Sequence, residues 1–428
     1  MNAEKTSQIR WLLIFWLFVL SAVAYLDRVN ISIAGTLLAS DYHLSKIQLG
    51  WIFSAFLAGY ALFQTPGGRL ADRLGARSVL ALGVVWWGVF TALTAAVPAR
   101  IGSALLALMG VRFALGAGEA VIYPASNQFV ARWIPGNERG LANGWIFSGV
   151  GAGAGFTPPL ITYIMVRYGW RWSFLVCAGL GLLAGLVWYL IARNSPQEHP
   201  LVSSKELAKI QSGLPPSIAT NKSALISWGR MLRSREVLAT TLSYFSFGYV
   251  AWIFFSWFFI YLAEVRGLNL KVSALYSMLP FVAMAVCSPL GGVLSDALAR
   301  NKGARAGRSG VAVFAMILAA VFLALGSSAE NTRVAVLVLA GGAGALYLSQ
   351  SSFWSVTADI GGPSSGSVSG FMNMGNQLGG MLTASLTPWI ASRLGWQAPF
   401  FVAAALCLCG AAAWLFVDPR NRLDSTVL

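Results

Sequence analysis

Pro66-Gly67-Gly68-Arg69-Leu70-Ala71-Asp72 closes one long apolar stretch, and Pro289-Leu290-Gly291-Gly292-Val293-Leu294-Ser295-Asp296 closes another. The two segments share a proline, paired glycines and a terminal aspartate. Gly68 and Gly292 are 224 positions apart. A second landmark keeps nearly that offset. Gly169-Trp170 precedes Phe174 as Gly395-Trp396 precedes Phe400, and these glycines are 226 apart. Two landmarks at nearly one interval predict a duplicated chain whose halves face each other.

Around these landmarks the chain is oily. It has 428 residues, 57% hydrophobic and 11% charged, with mean hydropathy +0.67. A soluble domain carries about 25% charged residues. A hydropathy walk gives twelve stretches of the ~20 residues a bilayer crossing needs. They lie near 11–35, 48–69, 78–98, 103–131, 139–166, 172–193, 237–263, 272–296, 309–327, 333–359, 366–391 and 397–417. Backbone groups in lipid must bond within their own segment, so these are helices. The fold expected is an all-α membrane protein of twelve transmembrane helices in two pseudo-symmetric six-helix bundles. The first span is too long for a signal peptide, lacks a small-residue cleavage site and carries charge near its end.

Basic residues orient the chain. With the N-terminus inside, 20 of the 30 lysines and arginines fall in inner segments and 8 in outer ones; Arg28 and Arg112 are the rest. The inner set runs from Lys5 and Arg10 through Lys222 to Arg420 and Arg422; the outer set includes Lys46, Arg100 and Arg393. By the positive-inside rule both termini are cytoplasmic, and the net charge of +15 needs no nucleic acid to explain it. Residues 194–236 form the one long polar segment, with Pro196, Pro200, Pro215 and Pro216, and separate a first bundle (1–193) from a second (237–428). Ser203 and Glu206 have capping-box spacing, and Leu207, Ile210 and Leu214 follow at helical spacing. These read either as a solvated tether or as a short helix on the membrane surface, with Lys205 and Lys209 near lipid phosphates.

Four ionisable residues lie within the early spans: Asp27, Arg28, Arg112 and Glu119. Charge at that depth costs roughly 2.5–3.5 kcal/mol per group on insertion scales. Two acids and two arginines point to a site that handles an anion and a proton. Arg112 and Glu119 are seven apart and share a helix face, too far apart for one tight pair but able to line one cavity. Adjacent Asp27 and Arg28 point about 100° apart, so one can face a substrate while the other faces helix four. Arginine stays charged and grips a carboxylate with two prongs, and a buried acid can exchange a proton. A purely structural salt-bridge network is the alternative for these four.

Gly68-Arg69-Leu70-Ala71-Asp72-Arg73-Leu74-Gly75-Ala76-Arg77 resembles the loop between helices two and three of the major facilitator superfamily. The resemblance spans the whole chain and implies that Gly68, Asp72, Arg73, Gly75 and Arg77, with Asp296 in the second copy, latch the halves in the outward-open state. Tyr25-Leu26-Asp27-Arg28-Val29-Asn30, Arg112 to Glu119, and Tyr123-Pro124-Ala125 are similar to the anion:cation symporter family. That family includes bacterial galactonate, glucarate and hexuronate symporters and animal sialic-acid and vesicular glutamate carriers. The resemblance implies Asp27 and Glu119 as proton-coupling acids, Arg28 as the substrate-carboxylate arginine and Arg112 as partner of the fourth-helix acid. It further implies substrate contacts at Tyr60 and Asn373. Arg112 is also counted among the substrate-binding candidates.

Span ten repeats Tyr347, Gln350, Trp354 and Thr357 at helical spacing, with Ser351 and Ser352 beside them; Gln350 and Ser352 are site candidates. Span eleven carries Asn373, Asn376 and Gln377, with Gly375 and Gly379 for close packing. The aromatics of span seven, Tyr244 among them, read mostly as packing or interfacial anchors. Family members often carry glutamine near Tyr244, which leaves the anion's identity open. No phosphate-cradling loop with Lys-Ser/Thr is present, so the driving force expected is a proton gradient, with no cofactor. His43 and His199 fall in loops, the four cysteines lack metal spacing, and no catalytic constellation indicates an enzyme. A proton-driven exporter is a rival reading, from Gly144, Gly153 and Pro158 on span five; Thr157 and Ile161 break that pattern. A non-transporting sensor is another, against which the short tail counts. The reading reached is a bacterial inner-membrane symporter, monomeric, importing a small carboxylate with protons. Sugar acids lead, with aromatic or dicarboxylic acids second.

Overall fold

The computed structural model describes residues 7–99, 102–214, 225–258 and 261–423. Lys5, Arg100, Pro215, Pro216 and Lys222, used above, lie outside the described residues. Among the described residues there is no strand. The first half holds α1 (Ile9–Asp41), α2 (Lys46–Leu74), α3 (Ala76–Ala96), α4 (Ala104–Glu119), α5 (Ile122–Trp133), α6 (Arg139–Tyr168) and α7 (Trp170–Ile191). Short helices α8 (Ser204–Ser212) and α9 (Trp228–Arg233) follow. The second half holds α10 (Arg235–Ser256), α11 (Leu270–Lys302), α12 (Val311–Ser328), α13 (Thr332–Leu348), α14 (Gln350–Gly361), α15 (Ser365–Leu394) and α16 (Gln397–Trp414).

These make twelve spans, with α4 and α5 sharing the fourth and α13 and α14 the tenth. Among the described residues ten stretches are long and apolar enough to cross a membrane on length and hydropathy alone, and one, Thr332–Leu394, contains two spans. The twelfth is α2.

The duplication shows in the backbone. Gly75 and Gly303 end α2 and α11 at φ 85° and 89°, and Gly169 and Gly395 end α6 and α15 at 88° and 80°. Only glycine adopts such angles without steric cost, so equivalent stops recur in both halves. Spans four and ten also break at equivalent places, for different reasons. Pro124 lacks the N–H that would bond to Ala120, and the helix restarts there. In span ten the Ser349 hydroxyl donates back to the Leu346 carbonyl at 2.6 Å, which bends a helix.

The halves meet where α2 packs on α15 and α6 on α11. Glycines set the approach. A side chain at Gly68 would run into the Gly366 carbonyl, and one at Gly144 would come within 2.7 Å of the Ser288 carbonyl oxygen. Gly153 sits equally close to Ala22 of α1. Gly144 and Gly153, the residues behind the exporter reading, thus have a packing role.

The linker helix packs one face on the protein. Glu206 and Ile210 of α8 are buried against the first half. Ser203 caps α8 by accepting from the Glu206 amide, but the Glu206 carboxylate does not complete a capping box. It accepts instead from the Ile9 and Arg10 amides at 3.1 and 3.2 Å, capping α1, and pairs with the Arg10 guanidinium at 2.9 Å. Lys209 pairs with Glu138 at 2.6 Å.

Candidate functional site

Arg28 of α1 turns into a cavity between the halves. Its Nε donates to Glu119 Oε1 at 2.6 Å, tying α1 to the last residue of α4. Its guanidinium lies over the rings of Tyr60 at 4.2 Å and Tyr25 at 4.8 Å, which hold it by cation–π attraction. Asp27, one residue earlier, faces α3 and not helix four. Its Oδ2 accepts from Trp87 Nε1 and Thr91 Oγ1, each at 2.9 Å. Arg112 does not pair with Glu119. It lies over the Phe56 ring at 5.0 Å, within electrostatic reach of Asp27.

Asp27, Arg112 and Glu119 are buried, and the Arg28 side chain is 7% exposed. Several of their polar atoms have no protein partner: Asp27 Oδ1, Arg28 NH2, Arg112 Nε and NH1, and Glu119 Oε2. Tyr60 Oη joins them. Protein interiors leave few such groups, and six of them fall on these five residues.

The second half supplies the opposite wall. Gln350, at the start of α14, donates from Nε2 to Tyr244 Oη at 2.8 Å, and Trp354 Nε1 donates to the same oxygen at 2.9 Å. Asn373 of α15 donates to Gln64 Oε1 of α2 at 3.1 Å, across the interface. Arg28, Tyr60, Gln350 and Asn373 all line the cavity; Arg112 and Ser352 are buried but do not. Tyr244 and Tyr25 also line it, and the sequence reading of span seven missed the first of these. Trp87 and Thr91 were missed too, since they sit in an otherwise apolar helix. The cavity volume is about 20 Å³. A single water needs about 10–15 Å³, so the cavity has room for little more than a water.

At one end of the bundle, two aspartates from the repeated segments each cap a helix of the other half. Asp72 accepts from the Gly366 and Ser367 amides, both at 2.8 Å, at the start of α15. Asp296 accepts from the Gly140 and Leu141 amides at 2.9 and 2.7 Å, at the start of α6. Carboxylates at helix N-termini meet unpaired N–H groups and the positive end of the dipole. Asp296 is also paired with Arg308 at 2.6 Å, and Asp359 bridges Arg139 and Arg308. Gly68, Asp72 and Asp296 therefore cross between halves. Arg73 is exposed, while Gly75 and Arg77 fasten α3 beside α7: the Arg77 amide donates to Asn194 Oδ1 and its Nε to the Tyr189 carbonyl, each at 3.0 Å.

A twelve-span duplicated bundle with a cavity between its halves is the architecture of a membrane transporter rather than an enzyme. The chain belongs to the Major Facilitator Superfamily, whose family model matches residues 17–384 and 303–426. It is 35% identical over 94% of its length to a probable sulfoacetate transporter of Cupriavidus necator, covering 92% of that protein. It is 29% identical over 95% of its length to the hexuronate transporter of Bacillus subtilis, covering 94% of it. In fold it resembles a solved proton:xylose symporter with a TM-score of 0.77 at 15% identity, covering 98% of this chain and 99% of the other.

Proposed function

We propose that the protein is a symporter that takes up a small organic anion together with protons, foremost a sugar acid such as a hexonate, hexuronate or hexarate. In this reading it works as a monomer in a bacterial inner membrane, with both termini in the cytoplasm. The proton gradient, rather than a bound cofactor, drives it. The halves 1–193 and 237–428 rock about the cavity, joined by 194–236. Arg28, Tyr60, Gln350 and Asn373 hold the substrate, Arg112 balances Asp27, and Gly68, Asp72 and Asp296 gate access.

The observation that carries this reading is the Arg28–Glu119 pair, in which Arg28 lines the cavity and Glu119 is buried behind it. A guanidinium fork suits a substrate carboxylate. Glu119 already occupies it, so substrate and Glu119 compete. Once substrate takes Arg28, an ionised Glu119 is left buried beside an anion, which costs several kcal/mol. A proton on Glu119 removes that cost. Substrate therefore favours protonation, and protonation favours substrate by the same factor. The hexuronate transporter among the relatives supports the sugar-acid class. A smaller anion is the second reading, favoured by the similarity to a probable sulfoacetate transporter.

Proteoliposomes with an alkaline interior test this. Labelled glucuronate, galactonate and sulfoacetate are supplied outside at acidic pH. Accumulation of a sugar acid that a protonophore abolishes is expected. Sulfoacetate accumulation alone selects the second reading, and uptake indifferent to the proton gradient contradicts both.

A further inference from the structure

The latch end of the molecule holds a second cavity, of about 490 Å³, which shares no residue with the first. Its walls come from three parts of the chain. Asn137 belongs to the turn between α5 and α6; Arg300, Arg308 and Asp359 belong to the second-half helix ends; Arg420 and Arg422 belong to the tail. The tail is fastened in place. The Leu423 amide donates to the Ile360 carbonyl at 3.0 Å, and Asn421 Nδ2 donates to Glu236 Oε1 at 2.8 Å.

Positive charge exceeds negative here. Arg308 is balanced by Asp296 and Asp359, and Arg420 by Asp418 at 2.7 Å. Arg300 makes no ion pair among the described residues, yet it lines the same cleft. Membrane topology asks for positive charge on this face but not for its convergence. Arg230, Arg233 and Lys302 answer the same demand from exposed positions outside the cleft. Guanidinium forks match phosphate oxygens in pairs, and basic pockets at the inner ends of membrane helices suit phosphate head groups.

We propose that this cleft binds a phosphate-bearing anion, and that the bound anion holds the latch end shut. The cleft straddles the halves: Arg308 NH2 already donates to the Gly136 carbonyl at 2.7 Å, beside Asn137. An anion lodged between Asn137 and the arginines loses one wall when the halves part. It therefore binds the closed form more tightly and shifts the population toward it. A lipid head group and a soluble phosphate compound share this chemistry.

The test uses the full-length protein. Thermal unfolding in detergent is followed while pyrophosphate is titrated at constant ionic strength against chloride. In a second arm, nanodiscs of phosphatidylcholine are compared with discs that also contain cardiolipin. A rise of several degrees in the unfolding midpoint is expected in at least one arm: pyrophosphate identifies a soluble ligand, cardiolipin a lipid. Arg300→Gln/Arg420→Gln touches neither latch aspartate and should weaken the apparent affinity roughly tenfold, the equivalent of one lost charge-assisted contact. Arg230→Gln/Arg233→Gln, outside the cleft, should leave the response intact. If the double cleft variant does not fold, the exposed single change Arg300→Gln replaces it. No shift in either arm, or a cleft variant with a parent-like midpoint and a full response, overturns the proposal.

Discussion

The two walls of the midplane cavity use different chemistry. On the first-half side, Arg28 meets Glu119 at 2.6 Å, with Asp27 and Arg112 buried behind them. On the second-half side, Tyr244, Gln350 and Asn373 face the cavity, and among the described lining residues no acid or base stands there. The halves are copies in backbone, as their paired glycine stops show, yet among the described residues lining the cavity only the first half's carry charge. In the proposed cycle the first half handles the carboxylate and the proton, and the second half reads the neutral body of the substrate. Separating the tasks keeps the costly buried charges in one helix cluster, where they offset one another.

The largest effect should come from the charged wall. Arg28→Lys keeps the charge and loses the fork. Calorimetry with the transported acid should show binding weakened by about 1.5–3 kcal/mol, roughly 10–150-fold. A lysine variant that binds like the parent removes Arg28 from the site and dissolves the contrast. Next comes Tyr244→Phe on the neutral wall. It strips the acceptor from both Gln350 and Trp354, leaving an indole N–H and an amide unpaired. A stability loss of about 1–2 kcal/mol is expected, read as a lower unfolding temperature, with the pH dependence of uptake unchanged.

A smaller loss, about 1 kcal/mol or roughly fivefold in affinity, is expected for Asn373→Ala. Its uptake should keep the parent's pH profile. A shifted profile would place proton handling in the second half and break the comparison. The smallest effect lies outside the cavity. Asp41, beyond the first span, accepts from Trp170 Nε1 at 2.8 Å and pairs with Arg171 at 3.0 Å. The hydrogen bond from Trp170, with that from Arg171, holds its carboxyl below the usual range. A lowered folded-state value means that the stability it contributes is present above the unfolded value and is lost as pH falls through the folded one. The pair is nearly half exposed, so Asp41→Asn should cost under about 1 kcal/mol near neutral pH and nothing at strongly acidic pH. Unfolding temperatures across that range check the sign.

Much of this architecture is legible in the residues. Span length, charge asymmetry and the echo of Gly68 and Asp72 in Gly292 and Asp296 predict the twelve helices and their duplication, because these are one-dimensional signals. What is not legible depends on which way a side chain turns. A mostly apolar helix such as α3 gives little periodic signal, so nothing marks Trp87 and Thr91 as the cradle of Asp27, and the many aromatics of α10 do not show that Tyr244 is a cavity residue rather than packing. The helical spacing of Arg112 and Glu119 is real, but the partner of Glu119 comes from another helix, 91 residues away. The hydrophobic spacing in α8 is equally real. It places Ile210 against the protein instead of lipid because Glu206 finds the open amides of α1, a contact between segments 196 residues apart.

The two acids proposed to couple protons, Asp27 and Glu119, offer the most direct test. Asp27→Asn/Glu119→Gln removes both ionisable carboxyls and mimics their protonated state. In proteoliposomes supplied only with an inward proton gradient, the double variant should bind substrate and fail to accumulate it, and any transport it retains should be exchange down the substrate's own gradient. Accumulation against the substrate gradient by this variant would contradict the coupling account.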